Sequence, residues 1–181
     1  MPITFSREDH PGIVPKPGRY ALVVAPTIHK NRMTMVLVYG GGDLNILFTK
    51  MLKEFRLSAL DLTPLHSPFY GLVPGEPAML LDHIALPVTF GDRSNFFTEY
   101  IRFTVVDFNT AYHAILGRPT LTKYMVVLHY VYLMMKMSGP RGVISVRGDM
   151  RVAYDCEREI LDMAANLELS AHMDQILTAS K

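Results

Sequence analysis

Val36 to Leu47 read VLVYGGGDLNIL. An apolar run ends at Tyr39, three glycines follow, and an apolar segment resumes behind Asp43. Strand, glycine loop and helix in that order is the layout of a phosphate cradle, where backbone N–H groups at a helix N-terminus meet an anion. This run lacks what such a cradle needs. No Lys-Ser/Thr pair follows the glycines, the spacing is not G-x-G-x-x-G, and Asp43 would repel an anion at the mouth. From the residues alone, Gly40, Gly41 and Gly42 mark a tight turn that needs positive φ or close backbone approach. Asp43 reads as the N-cap of the next segment or as an exposed turn residue.

The other reactive side chains are scattered. His10, His29, His66, His83, His113, His129 and His172 include no close metal-ligand pair, and Cys156 has no second cysteine. A zinc site is not expected, nor any other metal or cofactor. No G-x-S-x-G elbow signals a serine nucleophile. The aromatics fall mostly at strand spacing and read as core or sheet face, not as a stacking platform for nucleic acid.

The elements that must position the glycine run are mostly strands. Arg19–Ala25 and Met33–Val38 are strand-like runs around a turn at Asn31-Arg32, and they predict a pair. Leu44, Leu47, Phe48, Met51, Leu52 and Phe55 have helical spacing, which predicts a helix over 44–57. The segment 61–78 is rich in proline and glycine and predicts an irregular stretch. Ile84–Phe90, the polar turn Gly91–Asn95 and Phe96–Phe108 read as strand, turn and strand, with Pro87 favouring an edge. His113–Leu116 is a short apolar run closed by Gly117-Arg118-Pro119, and Thr120–Leu128 reads as helix. Tyr130–Met137 and Val143–Val146 form a hairpin around Ser138-Gly139-Pro140. Ile160, Leu161, Ala164 and Leu167 make a helical stripe that reads as docked core.

Composition bounds the class. With 49% hydrophobic residues and 19% charged residues, the 181-residue chain can bury a sizeable core. A formal net charge of +1 offers no electrostatic case for direct nucleic-acid binding or for a membrane surface. The start of the chain has no basic-then-apolar leader, and no apolar run is long enough to span a bilayer. The expectation is an intracellular, cytoplasmic protein, mostly β. Its predicted parts are an extended linker over 1–18, a domain over 19–148 and a helical extension over 149–181.

The glycine run and AILGRP (Ala114–Pro119), taken together, resemble the retropepsin-like aspartic protease domain, and in particular that of plant Ty3/gypsy-type retrotransposon polyproteins. The stretches ITFSREDHPG, PGRYALVVAPTI, PFYGLVPGE, LPVTFGDRSNF, TVVDFNTAYHAILGRP and YLMMKMSGPRGVISV look like that family's phrases, so the likeness runs from about Ile3 to Cys156. It implies a retropepsin-like closed β-barrel, one acid-protease half, with one or two short helices and a helical C-terminal tail. It implies a homodimer, with the chain itself as partner, and a peptide or polyprotein as substrate. Each copy of such a domain supplies one Asp to a dyad that shares a proton. One carboxylate activates water and the other protonates the peptide carbonyl. By the same resemblance, Ile115, Leu116, Gly117 and Arg118 support the catalytic loop. Phe69, Tyr70, Gly71 and Gly75 belong to the flap over the substrate.

The catalytic motif departs from the family's pattern. Plant elements resemble V-L-(V/M)-D-G-G-S-(S/G)-L-N-I-L. Gly40 and Gly41 match, Gly42 stands where Ser is expected, and Asp43 stands where Ser or Gly is expected. Tyr39 stands where the catalytic Asp belongs. A phenol supplies no carboxylate base at neutral pH, and Asp43 lies four residues too late. Asp82 in place of a usual Gly and Leu128 in place of a usual Pro are further departures. The expectation is a retrotransposon-derived endopeptidase-like domain, ancestrally for polyprotein processing, that is catalytically inactive. The alternative is a non-catalytic homodimerisation or peptide-binding module on the same fold.

Overall fold

A computed structural model describes residues 1–64 and 79–179. Among these residues two sheets carry the fold. The larger has eight strands in the order β1-β4-β8-β5-β7-β6-β2-β3, and the smaller has three in the order β11-β10-β9. Their ranges are β1 Leu22–Val24, β2 Thr27–Ile28, β3 Asn31–Arg32, β4 Val36–Val38, β5 Ile46–Phe48, β6 Met79–Gly91, β7 Phe96–Asp107, β8 Ala114–Leu116, β9 Val127–His129, β10 Met134–Gly139 and β11 Gly142–Arg147. The helices are α1 Lys50–Glu54, α2 Arg118–Lys123 and α3 Met150–Ala179.

The two β-branched runs pair as the sequence implies, β1 antiparallel to β4 with Val23 opposite Leu37. The turn between them is not at Asn31-Arg32, which forms β3. It lies at His29-Lys30, where His29 adopts φ 58°. Gly91–Asn95 closes the β6–β7 hairpin, with Gly91 at φ 105° and the Asp92 carboxylate accepting from the Ser94 and Asn95 amides. Pro87 lies within β6, opposite Tyr100 of β7, and its carbonyl accepts from His29 N. The second hairpin, β10–β11, turns at Pro140-Arg141.

Two helical expectations fail, and for the first the reason is burial. Ile46, Leu47 and Phe48 are all buried in β5, which runs parallel to β7 and antiparallel to β8. A strand covered on both faces is a continuous apolar run, and its spacing overlaps that of a helix. Helix therefore begins only at Lys50, after Thr49, and Asp43 is not its cap. Likewise α2 stops at Lys123, and Val127–His129 is strand. Both short helices are followed at once by a residue in the left-handed region, Arg56 (φ 56°) and Met125 (φ 51°), a common helix stop.

One large core fills the curled sheet, including Leu22, Leu47, Phe103 and Leu116, all fully buried. A second cluster lies under the start of α3, where Ala153, Cys156 and Ile160 pack with Val23, Ile46 and Tyr112. The docked face of α3 is therefore set by positions 153, 156 and 160. Leu161 and Leu167, expected in the core, are 62% and 51% exposed. The arm over 1–18 carries one 3-10 turn, Arg7–Asp9, capped by Ser6. Lys136 anchors it to β10, with Nζ 2.7 Å from Asp9 Oδ2 and 2.8 Å from Thr4 O.

Candidate functional site

β4 and β8 run parallel, with Val36, Leu37 and Val38 opposite Ala114, Ile115 and Leu116. Both strands end at the same level. The next residues, Tyr39 and Gly117, thereby emerge side by side, and Tyr39 N donates to Leu116 O at 2.9 Å. The glycine loop and the ILGR turn are thus one structural unit, although about 75 residues separate them in the chain.

The loop closes on itself and then on its neighbour. Gly42 N donates to Tyr39 O at 3.2 Å, a tight turn across Gly40 and Gly41, and Arg118 N donates to Gly42 O at 2.8 Å. Gly40 N donates to the Tyr130 hydroxyl at 3.3 Å. None of the three loop glycines has positive φ. Close approach is what selects them. A Cβ on Gly41 would lie 2.9 Å from the Tyr39 ring, and one on Gly42 would lie 3.0 Å from it. A Cβ on Gly40 would lie 3.0 Å from Tyr130 Oη. The Tyr39 ring therefore rests over Gly41 and Gly42, and it is 55% exposed.

Gly117 is held far more tightly. A Cβ there would fall 2.2 Å from Leu44 O and 2.8 Å from Gly42 O, so two backbones meet where no side chain fits. Leu116 is fully buried, Ile115 packs in the second cluster, and the Arg118 side chain is exposed. The Arg118 guanidinium pairs with the Asp43 carboxylate, and both side chains are more than half exposed.

Asn45 is the residue behind the glycine loop that sequence reasoning missed. It is buried, and both polar atoms of its side chain are hydrogen-bonded. Oδ1 accepts from Gly117 N at 3.0 Å and from Thr120 Oγ1 at 2.7 Å, and Nδ2 donates to Arg102 O at 3.1 Å. Its backbone carbonyl accepts from Thr104 N at 2.8 Å. One side chain ties β5, β7, the Gly117 turn and α2 into a single frame behind the loop. Its signal was a lone amide inside the apolar run Leu44–Phe48, because a buried amide must find partners.

Tyr124 fixes the other end of α2. Its hydroxyl donates to Val88 O and accepts from Glu99 N at 3.1 Å, and burial pushes the phenol well above its ordinary range. Cys156 is buried and its thiol is pushed up by burial, so it offers no ready thiolate. Among the described residues no group of three or more His, Cys, Asp or Glu is placed to hold a metal ion, and no helix is long and apolar enough to cross a membrane.

No protein-family model matches the chain, and no curated protein matches it. Solved structures do. The retroviral protease-like domain of Ddi1 from Leishmania major aligns with a TM-score of 0.55 and 16% identity, over 72% of this chain and 94% of its own.

The fold is retropepsin-like.

The EIAV protease complexed with the inhibitor HBY-793 aligns over 70% of this chain and 99% of its own at 19% identity, but with a TM-score of 0.40 it adds nothing to that conclusion. Within this retropepsin-like domain, Tyr39, Gly40, Gly41, Gly42, Asp43, Gly117 and Arg118 come together at the joint end of β4 and β8. The flap residues Phe69, Tyr70, Gly71 and Gly75 lie outside the described residues. Asp43, the loop's one carboxylate, is solvent-facing and engaged by Arg118.

Proposed function

We propose that this chain is a retropepsin-like domain, derived from a retrotransposon polyprotein protease, that does not cleave peptide bonds. The observation that carries the reading is Tyr39 at the end of β4, hydrogen-bonded through its amide to Leu116 and lying over the glycines that follow it. The catalytic aspartate of the family belongs at that point of the loop. Peptide hydrolysis there needs a carboxylate to take a proton from water and a second carboxyl to donate one. A tyrosine supplies neither at neutral pH. Asp43 does not replace it, since a catalytic group must be held within ~0.5 Å of its working position and this one is an exposed turn residue paired with Arg118.

The family chemistry is symmetric, so the working unit is a homodimer with a peptide or polyprotein in its cleft. Exposed apolar side chains support that partner. Tyr39, Val127 and Tyr130 are each more than 40% exposed, and β9 is an end strand of its sheet. The single cysteine, buried and free, fits a reducing, cytoplasmic setting.

A second reading, a non-catalytic homodimerisation or peptide-binding module, is favoured by the state of the frame behind the loop. Both polar atoms of the Asn45 side chain are hydrogen-bonded, and no described buried side-chain polar atom lacks a partner. A frame in that condition can still hold a cleft.

The test is restoration. Tyr39→Asp alone and Tyr39→Asp with Asp43→Gly are assayed for pepstatin-sensitive cleavage of unfolded protein substrates at about pH 4–6. Tyr39→Asp is necessary for turnover, and the double variant is the better enzyme. Equal turnover with and without the Tyr39 substitution sinks the reading. Light scattering and peptide titration of the unmodified chain separate a binding dimer from an inert domain.

A further inference from the structure

β11 ends the three-stranded sheet. It pairs with β10 along Gly142–Arg147, and among the described residues no strand lies on its other side. In an antiparallel strand every second residue points its N–H and C=O away from its one partner. The outer edge of β11 borders a groove of about 710 Å³, whose far wall is Ala25–Thr27 and the β6–β7 turn. Phe90 and Ile144, both buried, line it. The strand itself reads GVISVR, rich in β-branched residues and without an acid. An open edge of that kind is a template for another strand.

The groove is braced and electrically lopsided. Asn95 spans it at one end, its Nδ2 donating to Gly142 O at 3.2 Å and its Oδ1 accepting from Arg141 N at 3.1 Å. Among the described residues Asp92 is the one acid of the lining, and its carboxylate accepts from Ser94 N, Ser94 Oγ and Asn95 N within its own turn. Among the described residues two cations line the groove, Arg32 and Arg147. Arg32 is exposed and forms no ion pair among the described residues. Arg147 donates to the Asp9 carbonyl at 2.9 Å, while the Asp9 carboxylate is committed to Lys136 at 2.7 Å.

We propose that this groove binds an extended acidic peptide segment, added as a fourth strand along β11, with Arg32 and Arg147 meeting its carboxylates. Backbone bonds to the open edge give affinity, and the two arginines give selectivity. A second copy of β11 is a poorer occupant, because it brings the same arginine and no acid. The proposal is independent of the chemistry at Tyr39, since this groove shares no lining residue with the glycine loop.

The probes are end-blocked, fluorescent seven-residue peptides of alternating valine and glutamate, the same with lysine for glutamate, and the glutamate peptide N-methylated at alternate residues. Binding to the whole chain is read by polarisation, and the site by amide shifts in NMR. The glutamate peptide is expected to bind and to shift the amides of Val143–Arg147. Arg32→Glu, an exposed change, is expected to weaken it about tenfold and to favour the lysine peptide. The N-methylated peptide is expected to lose binding, because it cannot complete the ladder. No binding by the glutamate peptide, equal binding of glutamate and lysine peptides, undiminished binding after N-methylation, or shifts centred away from β11 each overturn the proposal. Self-association of the chain that consumes the β11 edge would also overturn it, in favour of a second copy.

Discussion

The Asn45 side-chain oxygen takes two hydrogen bonds, from the Gly117 amide at 3.0 Å and from the Thr120 hydroxyl at 2.7 Å, across 72 and 75 residues of chain. This buried acceptor holds the ILGR turn where it meets the glycine loop. Asn45→Ala removes it and strands two buried donors and the Arg102 carbonyl. The expected loss of stability is about 2–4 kcal/mol, since each orphaned buried group costs on the order of 1–3 kcal/mol. Urea denaturation gives the number. A change below about 0.5 kcal/mol would mean that water or a shifted neighbour replaces Asn45.

The glycines of the site differ in what stands against them, and substitutions should differ accordingly. At Gly117 an added methyl meets the Leu44 and Gly42 carbonyls, which are backbone and cannot move aside. Gly117→Ala should cost at least about 3 kcal/mol. At Gly41 the obstacle is the Tyr39 ring, an exposed side chain that can swing away. Gly41→Ala should cost less than about 1 kcal/mol, and less again in a Tyr39→Ala background. Midpoints of chemical unfolding for the four variants check the contrast.

The Asp43–Arg118 pair is visible but weak. Both side chains are well exposed, so solvent and salt screen the attraction. Asp43→Ala should change stability by less than about 0.5 kcal/mol, and that small effect should vanish in molar salt. A larger, salt-resistant loss in thermal unfolding would show that Asp43 holds the loop in a way its exposure does not account for.

His113 gives the fold an acid-sensitive joint. Its backbone N–H donates to Met35 O at 2.8 Å, and its Nδ1 accepts from Met35 N at 3.4 Å. Burial lowers its pKa below the ordinary 6.5, nearby Lys50 lowers it further, and Glu54 opposes. The unfolded chain therefore binds this proton more readily than the folded one. The stability contribution is complete above pH 6.5 and is lost as pH falls through the lower folded value. Between about pH 7 and pH 5.5 the urea midpoint should fall for the unmodified chain and fall less for His113→Gln. Equal slopes for the two proteins would show that another group carries the effect.

Much of this architecture is legible in the residues. The β1–β4 pair and the β6–β7 and β10–β11 hairpins follow from β-branched runs and polar or glycine turns. β5 was not legible, because burial on both faces erases the alternation that marks a strand, and Leu44, Leu47, Phe48 and Met51 happen to fit a helix. The α3 stripe was misplaced by one face. Ala153 and Cys156 are small enough to sit against β1, whereas the larger Leu161 and Leu167 turn outward. The parallel β4–β8 register joins residues far apart in the chain, and no local pattern contains it. Only the resemblance of YGGG and ILGR to one family's paired motifs pointed to Tyr39 beside Gly117. Asn45 stood in plain sight between them as the one polar residue of LNIL, without a local cue to its partners.

We propose that Tyr39 has silenced this retropepsin-like domain. It is tested most directly by incubating the unmodified protein with unfolded protein substrates at about pH 4–6, with and without pepstatin, and following new peptide ends by mass spectrometry. The expected result is no pepstatin-sensitive cleavage from the unmodified chain at any pH in that range. Pepstatin-sensitive cleavage that co-purifies with the protein would contradict that reading; its loss in Asp43→Ala would place the working carboxylate at Asp43, and its persistence would place it elsewhere in the chain.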